Sequence, residues 1–324
     1  MVAGLVDRLR AAFGWVGPVD VAAGPRGALG QIWRVRVGDD RYALKEIFGR
    51  PPSETLLAGE LAFAARAAEA GVRVPRSHPD RDGRYLVSAP GGVHLRLYDW
   101  VDLGPATAPT TPADLGTLLA GLHRAAPATA HELDGSPPDP WYDHAPAADR
   151  FHGAAASGAP WSACLAARLR DLPELCAAVT AAEPEALLLC HRDLHPENVL
   201  ADPEGRLVVV DWDNLGPADP SRELARALFD WYCDGTPDLD AMRELYAAYR
   251  AAGGPGRLTG PADFSMLLAG HLNFLLRQTG VALDPAAEPR HRDWAEREID
   301  ETLRLVPSPG QLARVLALLG AAGG

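Results

Sequence analysis

The order of elements in this sequence predicts an α+β chain in two lobes: a small antiparallel sheet with one main helix, then a larger, mostly helical part. Two observations carry the prediction. Residues 19–100 hold short apolar runs separated by Gly- and Asp-bearing turns, with one helical stretch at 52–71 among them. From residue 111 onward, capped segments with apolar residues at helical spacing take over, interrupted by a polar loop at 191–198 between apolar runs. The expected division is residues 1–98, a hinge at 99–104, and residues 105–324.

The chain opens on MVAGLVDRLRAAFGWVG, where Asp7, Arg8 and Arg10 break the apolar run, so it reads as an amphipathic helix rather than a signal-peptide core. Residues 19–37 read as strand, glycine-rich turn, strand, with Gly24, Gly27 and Gly30 ahead of the run Ile32, Trp33, Arg34, Val35, Arg36, Val37. Gly27 and Gly30 would let backbone approach phosphate oxygens, although an ordinary hairpin turn has the same composition. After the turn at Asp39-Asp40, the next strand carries Lys45. It is the only lysine; every other one of the 31 basic residues is arginine. In so arginine-biased a chain, a compact ammonium on a flexible stem marks a place where phosphate oxygens are to be met. Ser53 caps the helix at 52–71, Leu57, Leu61, Ala64 and Ala65 follow its period, and Gly71 ends it. Strands at 72–75 and 84–88 flank an Asp82-Gly83 turn, and HLRLYDW (94–100) is the last strand before the hinge, which the following Gly104-Pro105 marks.

In the helical half, a capped helix at 111–125 presents Leu115, Leu118, Leu119 and Leu122 on one stripe; its His123 reads as a packing or hydrogen-bonding residue. Residues 126–160 are rich in Pro, Gly, Asp and His with little periodicity, which predicts functional loops or a lid. The spacing of His131, His144 and His152 fits no standard zinc pattern. A helix at 162–182 leads into LLLCHRDLHPENVLADPEGRLVVVDWD (187–213), the stretch that carries the chemistry. The polar loop is pinned between apolar runs, and the strand at 207–210 delivers Asp211 at its C-terminal end. Asn198 and Asp211 offer the hard oxygen ligands that Mg2+ prefers. Asp193, five residues before the asparagine, is left to orient or accept a proton from a substrate hydroxyl.

HRDLHPENVL together with VVVDWDNLGPADPSRELA resembles the aminoglycoside phosphotransferase and choline kinase-like family of small-molecule kinases, whose fold is similar to that of protein kinases. The likeness to protein kinases themselves breaks down. His195 stands where those have Lys, DWD replaces DFG, and Asp219-Pro220 follows Asp211 too soon for a peptide-docking activation segment. The resemblance implies a bilobal protein-kinase-like fold, ATP or GTP with Mg2+, and a small-molecule hydroxyl acceptor. It places Lys45 at the nucleotide phosphates and calls for a helical glutamate to hold it; Glu60, mid-helix, is the choice, with Glu54 as runner-up. By the same resemblance, backbone around Asp99, Trp100 and Val101 meets the adenine edge. Asp213 is expected at a second metal or the substrate, and His195 at phosphate or as a brace for the loop. Asp219 and Glu223 are read as scaffolding for that loop.

Further helices are expected at 221–233, 238–252, 261–279, 288–305 and 311–319. Asp230, Trp231 and Asp234 combine carboxylates with an aromatic ring, a surface suited to an amine. Asn273 and Arg277, four apart on one helical face, either line the acceptor pocket or fold over the core edge. The net charge of −12 argues against nonspecific nucleic-acid binding and favours cationic ligands. Four scattered cysteines without a CxxC pair point to reduced thiols, and no segment is apolar enough to span a membrane, which predicts a cytoplasmic protein. The expected function is ATP-dependent O-phosphorylation of a cationic small molecule, an aminoglycoside-like or basic peptide antibiotic, and hence antibiotic resistance. The alternatives are a metabolic kinase for choline, homoserine, a sugar or a fructosamine, and a catalytically silent nucleotide-binding pseudokinase. The completeness of Lys45, Asp193, Asn198 and Asp211 speaks against the last.

Overall fold

The computed structural model of the chain describes residues 2–26, 30–48, 51–89, 92–106, 111–127 and 139–320. Gly27 and His131 lie outside the described residues. In chain order the first elements are α1 (Val2–Phe13), β1 (Val19–Arg26), β2 (Gly30–Val37), β3 (Asp40–Ile47), α2 (Glu54–Glu69), β4 (Ser77–His78), β5 (Val87–Ala89), β6 (Val93–Asp99) and β7 (Gly104–Pro105). After α3 (Pro112–Ala125), the short helices α4 (Pro140–Asp143), α5 (His152–Ala155), α6 (Ser162–Arg168) and α7 (Leu172–Ala178) lead to β8 (Leu188–Cys190), β9 (Val199–Ala201), β10 (Leu207–Val209) and β11 (Gly216–Ala218). Helices α8 (Pro220–Tyr232), α9 (Leu239–Ala251), α10 (Ser265–Leu283), α11 (Pro289–Leu305) and α12 (Pro309–Gly320) complete the described chain. None of the described helices is long and apolar enough to cross a membrane.

The chain divides into two compact units, one of residues 1–107 with 199–213, the other of 108–198 with 214–324. The first boundary falls close to the expected hinge. The segment 199–213, expected in the second part, belongs to the first, because β9 pairs with both β10 and β7 and the Val209 amide donates to the Arg73 carbonyl.

In the first unit, β1, β2, β3, β6 and β4 form an antiparallel sheet in that order, with β5 also on β6. Strand alternation sends Leu44, Leu95 and Leu97 into a core shared with Leu9 and Ala12 of α1. The same alternation turns Lys45 and its register partner Arg96 to the opposite face. Ser53 caps α2 by accepting from the Leu56 amide. Leu57, Glu60, Phe63 and Ala67 form the buried face of α2. Burying Phe63 there contributes about 1.5–3 kcal/mol. The strand expected at 72–75 is reduced to one bridge, Arg73 to Val208, and the ladder resumes at β4, since Pro75 has no N–H to extend it.

The second unit is helical around two short sheet pieces. Thr111 and Asp114 form the capping box that starts α3. The helix expected over 162–182 breaks into α6 and α7, where Pro173, in the first turn of α7, cannot donate back to the preceding turn. Asp219 caps α8, whose Arg222 ties down the chain ahead of β8 by donating to Asp143 at 2.9 Å and to the Thr180 and Ala181 carbonyls at 2.6 and 3.0 Å.

Candidate active site

In the first unit the decisive group is Lys45, 7% exposed on β3. Its Nζ lies 2.7 Å from both Asp211 Oδ1 and Asp213 Oδ2. Burial alone would lower its pKa, but the two carboxylates outweigh that and hold it above the usual lysine value. Asp211 follows β10 with φ 58°, a left-handed conformation that Asp tolerates better than most residues. Trp212 packs edge-on against Phe63 of α2, centroids 5.4 Å apart, which fixes the Asp-Trp-Asp turn on the helix.

Glu60 does not hold Lys45. It accepts two parallel hydrogen bonds from Arg96, Nη1 to Oε2 at 2.7 Å and Nη2 to Oε1 at 2.8 Å, with both side chains buried. The planar guanidinium matches a carboxylate in this two-pronged way and an ammonium cannot, so the arginine takes the glutamate and the lysine takes the two aspartates. Period-2 alternation through His94, Arg96 and Tyr98 is the signal that could have revealed Arg96 on the Lys45 face.

Gly30 opens β2 where an added Cβ would lie 2.6 Å from the Glu46 carbonyl oxygen, so the glycine there permits close strand approach. At the expected adenine edge, the Asp99 and Trp100 amides already donate to the Arg76 and Arg41 carbonyls at 2.9 and 3.3 Å. The Asp99 carboxylate lies 2.6 Å from His78 Nε2.

In the second unit the loop after β8 presents Asp193. Arg192 before it has φ 65°, and α8 grips both sides of that strained residue: Glu223 accepts from its amide, and Arg226 Nη1 donates to its carbonyl at 2.5 Å. Trp231 Nε1 donates to the Leu194 carbonyl, two residues on, at 2.8 Å. Asp193 Oδ2 accepts from Asn198 Nδ2 at 3.1 Å and Asn214 Nδ2 at 2.9 Å, and Oδ1 from Arg226 Nη2 at 2.8 Å. Burial would raise the Asp193 pKa, but the neighbouring His195 and the Arg226 charge hold it well below the usual carboxylate range. Asn198 also donates to the Asp193 carbonyl at 2.9 Å and meets His195 Nε2 at 3.1 Å. Its NH2 is thus engaged within the loop. His195 therefore braces this loop.

Buried His123, Cys190 and Glu223 bring potential ligand atoms within 4.8 Å of one another. Both imidazole nitrogens are nonetheless satisfied, by Tyr249 Oη at 2.8 Å and Glu223 Oε2 at 2.7 Å, so this is bracing behind the loop.

The residues expected to bind the acceptor are not brought together. The Asp230 side chain is largely enclosed, with Arg226 Nε 3.1 Å from Oδ2 and His271 Nε2 3.4 Å from Oδ1. Asp234 lies past the end of α8 and pairs with Arg304 of α11. Trp231 carries the Leu194 bond, and Asn273 Nδ2 donates to the Trp141 and His144 carbonyls at 2.9 and 2.8 Å, pinning α4 to α10. Arg277 stacks over Trp141 and Phe274. An open anionic patch is thus absent from these residues, because their charges and amides are engaged within the unit.

A family model described as a phosphotransferase enzyme family matches residues 20–260. The chain belongs to that family. It is accordingly a phosphotransferase with an alcohol group as acceptor, and the compounds handled are small molecules. An uncharacterized protein of Deinococcus radiodurans is 30% identical over 256 residues, 75% of this chain and 71% of that protein. Among solved structures, a spectinomycin phosphotransferase in complex with ADP and spectinomycin superposes with TM-score 0.68 at 13% identity, covering 97% of this chain and 96% of that one. A microcompartment-associated aminopropanol kinase superposes with TM-score 0.61 at 18% identity, covering 98% of each. At these identities the structural likeness shows the fold, and it is the protein-kinase-like one the phosphotransferase family shares.

Proposed function

We propose that this chain is an ATP-dependent, Mg2+-requiring O-phosphotransferase of small hydroxylated amines. Asp193 carries the reading: a largely buried carboxylate kept ionised and aimed by Asn198, Asn214 and Arg226. In this role Asp193 aligns the acceptor hydroxyl with the phosphoryl group and takes its proton late, as the new P–O bond forms. The Asn198 carboxamide oxygen and the Asp211 and Asp213 carboxylates are hard ligands that fit Mg2+. When bound, that ion offsets charge on the transferring phosphoryl group. Lys45 is the cation for the nucleotide phosphates, and residues 99–101 receive the adenine. His195 and Glu60 act through the groups they hold, the first on Asp193 and Asn198, the second on Arg96.

The net charge of −12 favours approach of a cationic acceptor. Aminoglycoside-like and basic peptide antibiotics, spectinomycin included, are therefore the first compounds to test, which makes resistance the first physiological reading. Aminopropanol, choline, homoserine and sugars form the metabolic arm of the same panel. The experiment is coupled ATP turnover with Mg2+ across that panel, with Asp193→Ala as control. A rate that depends on one acceptor class and vanishes in Asp193→Ala, with ATP binding retained, is the expected result. Near wild-type turnover in Asp193→Ala would remove the assigned role.

A further inference from the structure

We propose, resting on the phosphotransferase reading above, that Arg226 is the positioning residue for Asp193 and that Asp230 and His271 hold Arg226 rather than the acceptor. Helical spacing puts Glu223, Arg226 and Asp230 on one face of α8, turned to the loop at residues 191–198. The Arg226 guanidinium then distributes its donors among three acceptors: the Arg192 carbonyl at 2.5 Å, Asp193 Oδ1 at 2.8 Å and Asp230 Oδ2 at 3.1 Å. The Tyr142 ring lies under it at 5.6 Å. His271 completes the chain on the other Asp230 oxygen. A guanidinium locked at three points cannot swing, and it transmits that rigidity to the carboxylate it touches.

The lone pairs of Asp193 give this arrangement its consequence. Oδ2 already accepts from two carboxamides, of Asn198 and Asn214. Oδ1 accepts from Arg226 alone among the described residues, so it keeps one in-plane lone pair for an incoming hydroxyl. Arg226 thus selects which oxygen, and which direction, the acceptor proton meets. A carboxylate held only by the two carboxamides could pivot about them, and misplacement of about 1 Å can cost about 100-fold in rate. Asp230 supplies the counter-charge that keeps Arg226 in place, which accounts for a carboxylate whose side chain is only 7% exposed two helical turns beyond Glu223.

The test uses Mg-ATP hydrolysis by the full chain without an added acceptor, water being the nucleophile, and compares wild type, Asp193→Ala, Arg226→Gln, Asp230→Asn and the double variant Arg226→Gln/Asp230→Asn. Arg226→Gln is expected to lower kcat by about 10- to 100-fold while KM for ATP stays within about twofold. Asp230→Asn, which keeps side-chain shape, is expected to lower kcat less, and the double variant to be no worse than Arg226→Gln. Recovery of part of the kcat in Arg226→Lys would support the positioning role. A kcat within about twofold of wild type in Arg226→Gln, or full multiplication of the two losses in the double variant, would overturn it. Should Arg226→Gln fail to fold, an unchanged kcat in Asp230→Asn would overturn it as well. Equal hydrolysis by wild type and Asp193→Ala would instead overturn the phosphotransferase role of Asp193, on which the proposal rests.

Discussion

Replacing Arg96 with Met would leave Glu60, 5% exposed, as a buried carboxylate without its two donors. Removing one partner of a buried ion pair typically costs about 3–5 kcal/mol, because the remaining charge is left uncompensated. Replacing both by neutral side chains of similar volume costs far less, and is sometimes stabilising. Glu60→Gln/Arg96→Met is therefore expected to be clearly more stable than the two single losses added together, with a coupling of about 2–3 kcal/mol. The parallel cycle, Glu60→Gln with Lys45→Met, is expected to couple by less than about 0.5 kcal/mol, since Lys45 has its own carboxylates in Asp211 and Asp213. The assay is urea unfolding of the four variants of each cycle, read as the change in midpoint at constant slope. Strong coupling of Glu60 to Lys45 and none to Arg96 would refute the pairing argument.

Gly216 lies where an added Cβ would sit 2.3 Å from the Arg192 guanidinium carbon; Gly216→Ala should expel that side chain from its bonds to the Asn214 and Leu215 carbonyls, costing about 1–3 kcal/mol, measurable as a lowered Tm. Glu223 and Asp230 both have depressed pKa values: burial would raise them, but the hydrogen bond from His123 for Glu223 and the Arg226 charge for Asp230 outweigh it. Their stabilisation is therefore fully present above the unfolded values near 4–4.5 and is lost as pH falls through the lower folded ones, so acid unfolding should be less steep in Glu223→Gln. A thiol reagent on the native protein should modify exposed Cys164 first and leave Cys190 and Cys233 unreacted, because both are buried and burial pushes the Cys233 thiol up to about 11 and Cys190 well above its usual value.

Much of this architecture was legible because the signals are local. Ser53, Thr111 and Asp219 announce helix starts through their own side chains, and His191 to Asn198 followed by a strand ending at Asp211 announces a loop with fixed spacing. The partners of charged residues were much less legible. Whether Glu60 meets Lys45 or Arg96 depends on strand register, and whether Asp230 is an open anion or the anchor of an arginine depends on which face of α8 meets the loop. A cluster of carboxylates and aromatics such as Asp230, Trp231 and Asp234 looks like a binding surface until packing distributes its members among Arg226, the Leu194 carbonyl and Arg304. Pro75 and Pro173 show the same limit for elements: each shortened a strand or split a helix that apolar periodicity alone extended through it.

Because β9 and β10 complete the first unit, that unit has no contiguous N-terminal form. The Lys45 to Asp211 contact joins residues 166 positions apart, and the Arg73 carbonyl awaits the amide of Val209. During synthesis, residues 1–107 leave the ribosome long before their last strands exist, and the whole of the second unit's first segment, residues 108–198, is made in between. The sheet can begin from its neighbouring hairpins, but closure around Lys45 is a late, high-separation event of the kind that slows folding. Lys45 therefore acquires its carboxylate partners, Asp211 and Asp213, only after the Asp193 loop has been made, so in the nascent chain its ammonium stands unpaired from them while that loop is already complete.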